Sequence, residues 1–310
     1  MKHQEDGILI GLIGVTGAGK TTFASIASGQ TDLKIGNTLR SCTQEPQVVK
    51  FEVDGRSIIM VDTPGFDDDE RSDVEILESI AEWLSMHNFG RRNLLLDGLI
   101  LLHPITANRV GGTERKRTRL LQTILGENAY KRVIIATTMW DDLRDDDGKF
   151  AHRMQGRIDN GEVWSEMHSK GAAVLRHDNT KESAHQIVRL IIQKSDAEKG
   201  GVELQLQKEL VDVKGKVSRT TVGKEVKQDL KNRLQSLNNN LKDLDSNRPQ
   251  PQVGHLKSKE TTEWEENRQD VLQKIANGEN ELRRLNKLVT LIHPANSPSR
   301  LKVPDEEALV

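Results

Sequence analysis

The order of apolar and polar positions divides the chain into two unlike stretches. Ile8–Ile13 is a short apolar run of the length and bulk of a buried parallel strand. Val49, Phe51 and Val53 alternate with polar residues and predict a half-exposed strand. Asp54-Gly55 is a strong hairpin turn, and Ser57–Val61 is the next buried strand, ending at Asp62. Beyond it the pattern predicts a helix over Val74–Phe89, a strand over Leu99–Leu102 and a helix from Val110–Gly112 to Leu125. A strand at Val133–Thr137, helical residues from about Lys149 to Ser169, a strand at Ala172–Leu175 and a closing helix at Ser183–Gln193 complete this stretch. Strands and helices in alternation predict an α/β fold: a doubly wound, mostly parallel sheet with one antiparallel hairpin strand.

After Gly200 the period changes. Leu206, Leu210, Val213 and Val217, then Val226, Leu230, Leu234, Leu237, Leu241 and Leu244, recur at threes and fours, with a slip of register near Thr220–Gly223. Asn247–Gly254, with Pro249 and Pro251, breaks the helix. A second run follows: Val271, Ile275, Leu282, Leu285, Val289 and Ile292. The spacing suits a coiled-coil seam in which Gly278 leaves a gap and weakens its helix by about 1 kcal/mol relative to Ala. Three arrangements fit: an antiparallel hairpin, two segments that pair with a partner, or helices packed on the first domain. The expected organisation is a nucleotide-binding domain over residues 1–195, a helical region over 200–293 broken near 247–254, and a disordered tail over 294–310.

The chemistry sits at the end of the first strand. Gly14-Val-Thr-Gly-Ala-Gly19-Lys20-Thr21 fits G-x-x-x-x-G-K-[ST] at every fixed position, and Thr22–Ala27 can begin a helix. Strand, glycine-rich loop and helix together make a phosphate site. Side chains at Gly17 and Gly19 would block the phosphates, while the amides of Thr16, Gly17, Ala18, Gly19 and the helix start, through Thr22, point inward. Lys20 supplies a point charge for the β- and γ-phosphates, and the Thr21 hydroxyl is a hard ligand for Mg²⁺. Asp62-Thr-Pro-Gly65 is the second anchor. The Asp62 carboxylate can hold a water of the Mg²⁺ shell, and the Gly65 N–H can meet a γ-phosphate. A P-loop, an antiparallel hairpin and a strand ending in Asp is the order of small G domains; nucleotide kinases usually place a helical region there instead.

Composition narrows the remaining classes. The chain has 310 residues, a net charge of −2 and 3% aromatic residues, so no global field favours nucleic acid or an anionic membrane. One cysteine, Cys42, excludes an internal disulfide. The start MKHQEDG lacks signal-peptide character, no apolar run approaches a membrane helix, and a cytoplasmic protein without a transmembrane segment is the expectation. Gly29–Pro46 reads as a polar loop carrying Thr38, Ser41, Cys42 and Thr43. Arg115, Lys116, Arg117 and Arg119 read as an exposed helix face in preference to a polyanion site. Arg109 is a candidate for a charge acting at a nucleotide or dimer contact.

Residues 8–194, through GVTGAGKTTF, SCTQE, VDTPGFDD, LLHPITANR and ATTMWDD, resemble the septin-like branch of GTPases, among them immunity-associated (GIMAP-type) and fungal septin-like G-domain proteins. The resemblance implies GTP and GDP as ligands, Mg²⁺ as metal, and homo- or hetero-oligomers formed through the G domain or the coiled coil. It places Thr43 where switch I supplies a threonine sensing Mg²⁺ and the γ-phosphate. Asp141 falls where a carboxylate accepts from guanine N1–H and N2–H₂, with Met139 in place of the usual lysine. His177–Asn179 falls at the last base-contacting loop, with Asn179 as its candidate ligand. Thr21, Thr43 and Asp62 are then the metal residues, and Lys20, Thr43 and Gly65 the groups acting at the β–γ bond. Phe66 stands where Ras-type enzymes carry the glutamine that orients water, which implies slow hydrolysis completed by a second G domain, with Arg109 acting in trans. The reading is a GTP-binding assembly switch. An ATP-dependent P-loop enzyme and a coiled-coil scaffold with a structurally bound nucleotide are the alternatives.

Overall fold

The structure, a computed structural model, describes residues 7–31, 33, 47–62, 72–86, 95–106, 111–140, 147–159, 163–198, 200–249 and 259–290. Six strands form one sheet: β1 (Ile8–Gly14), β2 (Gln47–Val53), β3 (Arg56–Asp62), β4 (Gly98–Pro104), β5 (Val133–Thr138) and β6 (Ala173–Arg176). Their order is β2-β3-β1-β4-β5-β6. Only β2 runs antiparallel, joined to β3 by the two-residue turn at Asp54 and Gly55. Both turn residues have positive φ, 51° and 74°, as the tight hairpin requires.

Period-two alternation assigns each strand's side chains to two apolar layers. Ile8, Ile10, Leu12, Ile58, Met60, Ile100, Leu102, Ile134 and Ala136 face one layer, which α1 (Lys20–Ser28) and α6 (Lys181–Ala197) cover with Phe23, Ala24, Ile187 and Ile191. Ile13, Val61, Leu99, Leu101, Val133 and Ile135 face the other, covered by α2 (Asp73–Met86) and α3 (Gly112–Leu125). Because α1 leaves β1 toward one face and α2 leaves β3 toward the other, the sheet's crossover direction changes at β1. In open α/β sheets such a switch point, at the C-terminal ends of the strands, is where ligands bind.

The helical residues expected between about Lys149 and Ser169 form two helices, α4 (Asp147–Asp159) and α5 (Ser165–Ser169). Asn160-Gly161, a helix-stop dipeptide, directly follows α4 in the sequence. Beyond it the fully buried Trp164 indole enters the core, and its backbone N–H donates to the Arg157 carbonyl at 3.0 Å. A 3-10 segment at Glu127–Arg132, absent from the pattern analysis, seats Ala129, Tyr130 and Arg132 under the sheet.

Three further helices follow: α7 (Gln205–Asp212), α8 (Thr221–Ser246) and α9 (Lys259–Lys287). The slip of register near Thr220 is a real interruption: Lys214 and Gly215 turn with positive φ, and Thr220 caps α8 by accepting from the Gly223 amide at 3.1 Å. Of the three arrangements the sequence left open, two coexist. α8 and α9 lie antiparallel, with Arg233 on Glu281 (3.5 Å), Lys227 on Asn286 (2.7 Å) and Arg268 on Asp245 (2.7 Å). Their bases also join the core beneath the sheet, since Leu206, Leu210, Val226, Leu230 and Leu285 belong to the same apolar cluster as Leu77 and Leu120. Lys116 of the basic stretch bridges Asp73 of α2 (2.6 Å) and Asp229 of α8 (3.2 Å).

The gap expected at Gly278 is not there. A Cβ at this position would lie 2.9 Å from Leu234 Cδ2, so the glycine permits close approach of the two helices. Residues 291–310, including Ile292 and the expected tail, lie outside the described residues. Among the described residues no helix is long and apolar enough to cross a membrane.

Candidate functional site

β1 ends at Gly14, and only glycine fits there, because a Cβ would lie 2.5 Å from the Leu102 carbonyl oxygen of β4. The loop then turns through Gly17 and Gly19, whose φ values of 77° and 90° favour glycine and whose absent Cβ atoms would meet nothing within 4 Å. The concave side of the loop is therefore open backbone. Gly19 starts α1 without a side-chain cap, and the helix presents its N-terminal end to that concavity.

Lys20 is nearly buried and its ammonium donates to the carbonyls of Gly14 (2.9 Å) and Val15 (3.0 Å), across the mouth of the loop. The Thr21 hydroxyl donates to Asp62 Oδ2 at 2.7 Å, joining the first turn of α1 to the end of β3. The glycine-rich loop and the C-terminal end of β3 are thus tied together. Asp62 is 1% exposed, and its second oxygen, Oδ1, has no partner. Burial raises its carboxyl above the ordinary range, against the opposing pull of the Thr21 hydrogen bond and the Lys20 charge. A divalent cation reverses that balance, because it favours the carboxylate. The open loop, the paired Thr21 and Asp62, and the orphaned Oδ1 fit a metal-bound phosphate ligand.

The opposite wall comes from β5 and β6. Thr138 Oγ1 donates to the Ala18 carbonyl at 3.0 Å, a tie between β5 and the loop that spacing alone did not reveal. Met139, the residue in place of the usual lysine, takes a left-handed conformation with φ 62°. The Trp140 indole N–H donates to the Thr137 carbonyl at 2.9 Å, and the Arg176 guanidinium lies 4.5 Å from its ring centroid. His177 is buried against Phe23, ring centroids 4.8 Å apart. His177 Nδ1 lies 2.8 Å from Ser183 Oγ, and its Nε2 has no hydrogen-bond partner. Asn179 follows with φ 58°, just before Thr180 caps α6.

The structure therefore brings together Thr16, Gly17, Ala18, Gly19, Lys20, Thr21 and Asp62, with Thr22 on the same first turn of α1. Thr43, Gly65 and Asp141 lie outside the described residues, as do Phe66 and Arg109. What pattern reading missed is the second wall: Thr138, the Trp140–Arg176 stack and the burial of His177. Only the position of these residues at the ends of β5 and β6 signals them.

Comparison with known proteins agrees with this geometry. Toc33 of Arabidopsis thaliana, in a crystal structure of a dimerization-deficient mutant, superimposes with a TM-score of 0.52 at 14% identity, covering 64% of this chain and 88% of that one. The same protein in complex with Mg²⁺ and GMPPNP matches with a TM-score of 0.50, again at 14% identity and over 64% and 88% of the two chains. A third structure comes from the chloroplast translocon components atToc33 and psToc159, for which dimerization is important for GTPase activity. It matches with a TM-score of 0.51 at 14% identity, over 64% and 86%. At that identity the likeness shows a shared fold, the P-loop G domain. Residues 8–201 match the AIG1 family over more than half of the chain, and the chain belongs to that family.

Proposed function

We propose that this protein binds GTP and GDP with Mg²⁺, hydrolyses the β–γ bond slowly, and acts as a nucleotide-controlled assembly switch. The observation that carries the reading is the Thr21–Asp62 hydrogen bond, which joins the glycine-rich loop's helix to the end of β3, with the Lys20 charge close enough to act on the Asp62 carboxyl. Lys20 exchanges its two carbonyl partners for the phosphate oxygens, a stronger charge-assisted contact. Thr21 and Asp62, with Thr43, hold the metal; Mg²⁺ when bound neutralises charge on the β- and γ-phosphates. Gly65 meets the terminal phosphate through its amide. Asp141 reads guanine, and the loop of His177–Asn179 closes over the base. Septin-like kinship and a cytoplasmic location belong to this proposal, as does the division at residues 195–200 between a nucleotide-binding unit and a helical unit.

Phe66, in place of a water-orienting glutamine, leaves the site without an intrinsic activator, and Arg109 from a second G domain is the candidate to supply one. The importance of dimerization for the GTPase activity of atToc33 and psToc159 supports that part by likeness of fold.

Competition of GTP and ATP for a fluorescent guanine nucleotide tests the reading. Preference for GTP in the wild type, abolished binding in Lys20→Ala, and a shift toward xanthine nucleotides in Asp141→Asn are the expected results. Equal competition by ATP would replace the guanine reading with an ATP-dependent P-loop enzyme. Mass determination in solution with GDP and with a non-hydrolysable GTP analogue tests the switch, and identical masses in both states would remove it.

A further inference from the structure

Among the described residues three buried polar side-chain atoms without a hydrogen-bond partner, Thr16 Oγ1, Asp62 Oδ1 and His177 Nε2, sit at the C-terminal rim of the sheet. The cation already accounts for Asp62. Thr16 is different. A phosphate loop works through its amides, its lysine and the hydroxyl that follows; the side chain of a variable loop residue has no required part.

We propose that the Thr16 hydroxyl is an additional side-chain donor to the phosphate chain of the bound nucleotide, an inference that rests on the nucleotide-binding reading above. A buried hydroxyl rotates to find an acceptor, and Thr16 Oγ1 has found none. The Gly14 and Val15 carbonyls accept from Lys20 Nζ at 2.9 and 3.0 Å. The Val15 carbonyl also accepts from the Ala18 amide at 3.0 Å, the Ala18 carbonyl from Thr138, and the Gly19 carbonyl from the Phe23 amide at 2.8 Å. Thr16 is thus a buried donor without a partner, beside four loop carbonyls that already accept. A phosphate, whose oxygens only accept, is the chemical class that satisfies it.

Titration calorimetry on the full chain with Mg²⁺, using GDP and a non-hydrolysable GTP analogue, tests this on the wild type, Thr16→Ser, Thr16→Val and Lys20→Ala. Valine keeps the branched shape and removes the hydroxyl. Thr16→Val is expected to weaken binding of at least one nucleotide about ten- to hundredfold, as a lost hydrogen bond to a charged group does. Its melting temperature without nucleotide is expected to stay equal or rise, because an unpaired buried hydroxyl has been removed. Thr16→Ser is expected to bind within about threefold of the wild type. A loss confined to the triphosphate analogue assigns the contact to the terminal phosphate, and an equal loss with GDP assigns it to an inner one. Full affinity in Thr16→Val, beside a wild type that binds and a Lys20→Ala that does not, overturns the inference alone. An equal loss in Thr16→Ser overturns it too, since shape and not the hydroxyl would then be responsible. A wild type that binds neither nucleotide removes the nucleotide-binding reading and this inference with it.

Discussion

Arg284 and Leu285 are neighbours on α9 that hold it to the G domain by opposite means. Leu285 is 0% exposed and shares an apolar cluster with Val74 and Leu77 of α2, Leu210 of α7 and Leu230 of α8. Arg284 reaches Glu75 at 2.8 Å and Glu78 at 2.5 Å, with its side chain 49% exposed. Truncating a buried leucine to alanine removes its transfer energy and leaves a cavity, about 3 kcal/mol within a range of roughly 2–5. Truncating the arginine removes a solvent-screened pair worth about 1 kcal/mol or less, and that small effect fades in salt. Leu285→Ala should therefore lower the melting temperature by about 6 °C or more, at roughly 2 °C per kcal/mol for a chain of this size. Arg284→Ala should cost at most a third of that. Because the cluster runs from α2 to α9, the loss should move one cooperative transition and not create a second. Denaturation followed by circular dichroism, and separately by tryptophan fluorescence, provides the check. A larger loss for Arg284→Ala, or a Leu285→Ala protein with two separated transitions, would refute the view that one apolar core fuses the helices to the sheet.

Three other outcomes follow from the same geometry. Asp62→Asn should stabilise the nucleotide-free protein at neutral pH yet lower Mg²⁺-dependent nucleotide affinity about 10- to 100-fold, which paired melting and titration experiments would reveal. The raised Asp62 carboxyl makes the wild type lose stability as pH rises from about 3.8 through its folded value, and Asp62→Asn should lack that part of the slope; a less stable Asp62→Asn contradicts the assignment. Burial lowers the His177 imidazole below its ordinary value, so the unfolded chain takes up the proton first and stability falls as pH drops below about 6.5. His177→Gln should flatten that decline in urea titrations at successive pH values, and an unchanged slope would show that another group is responsible. Gly278→Ala would ordinarily gain about 1 kcal/mol of helix propensity, but the Leu234 methyl at 2.9 Å should cancel it, so a full gain in melting experiments would mean that α8 and α9 have room between them.

Local pattern was enough for the elements and for half of the site. Ile8–Gly14, the loop to Thr21, the hairpin at Asp54 and Gly55, and the strand ending at Asp62 are contiguous signals, and contiguous backbone is what a phosphate loop is made of. The Thr21–Asp62 meeting was legible because both ends carry fixed chemistry. The break between Asp159 and Ser165 was overlooked although Asn160-Gly161, a helix-stop dipeptide, stands in the sequence there.

What the amino-acid order determined by itself is the alternation of strands and helices and the residue types of the phosphate loop, since these depend on neighbours along the chain. Tertiary structure alone decided that Thr138 braces the loop, that Thr16 is a donor without an acceptor, and that α7 to α9 share the G-domain core. The physical reason is the same in each case. Hydrogen-bond satisfaction and apolar burial are settled between groups far apart in sequence, and the partner's identity is written in neither segment separately.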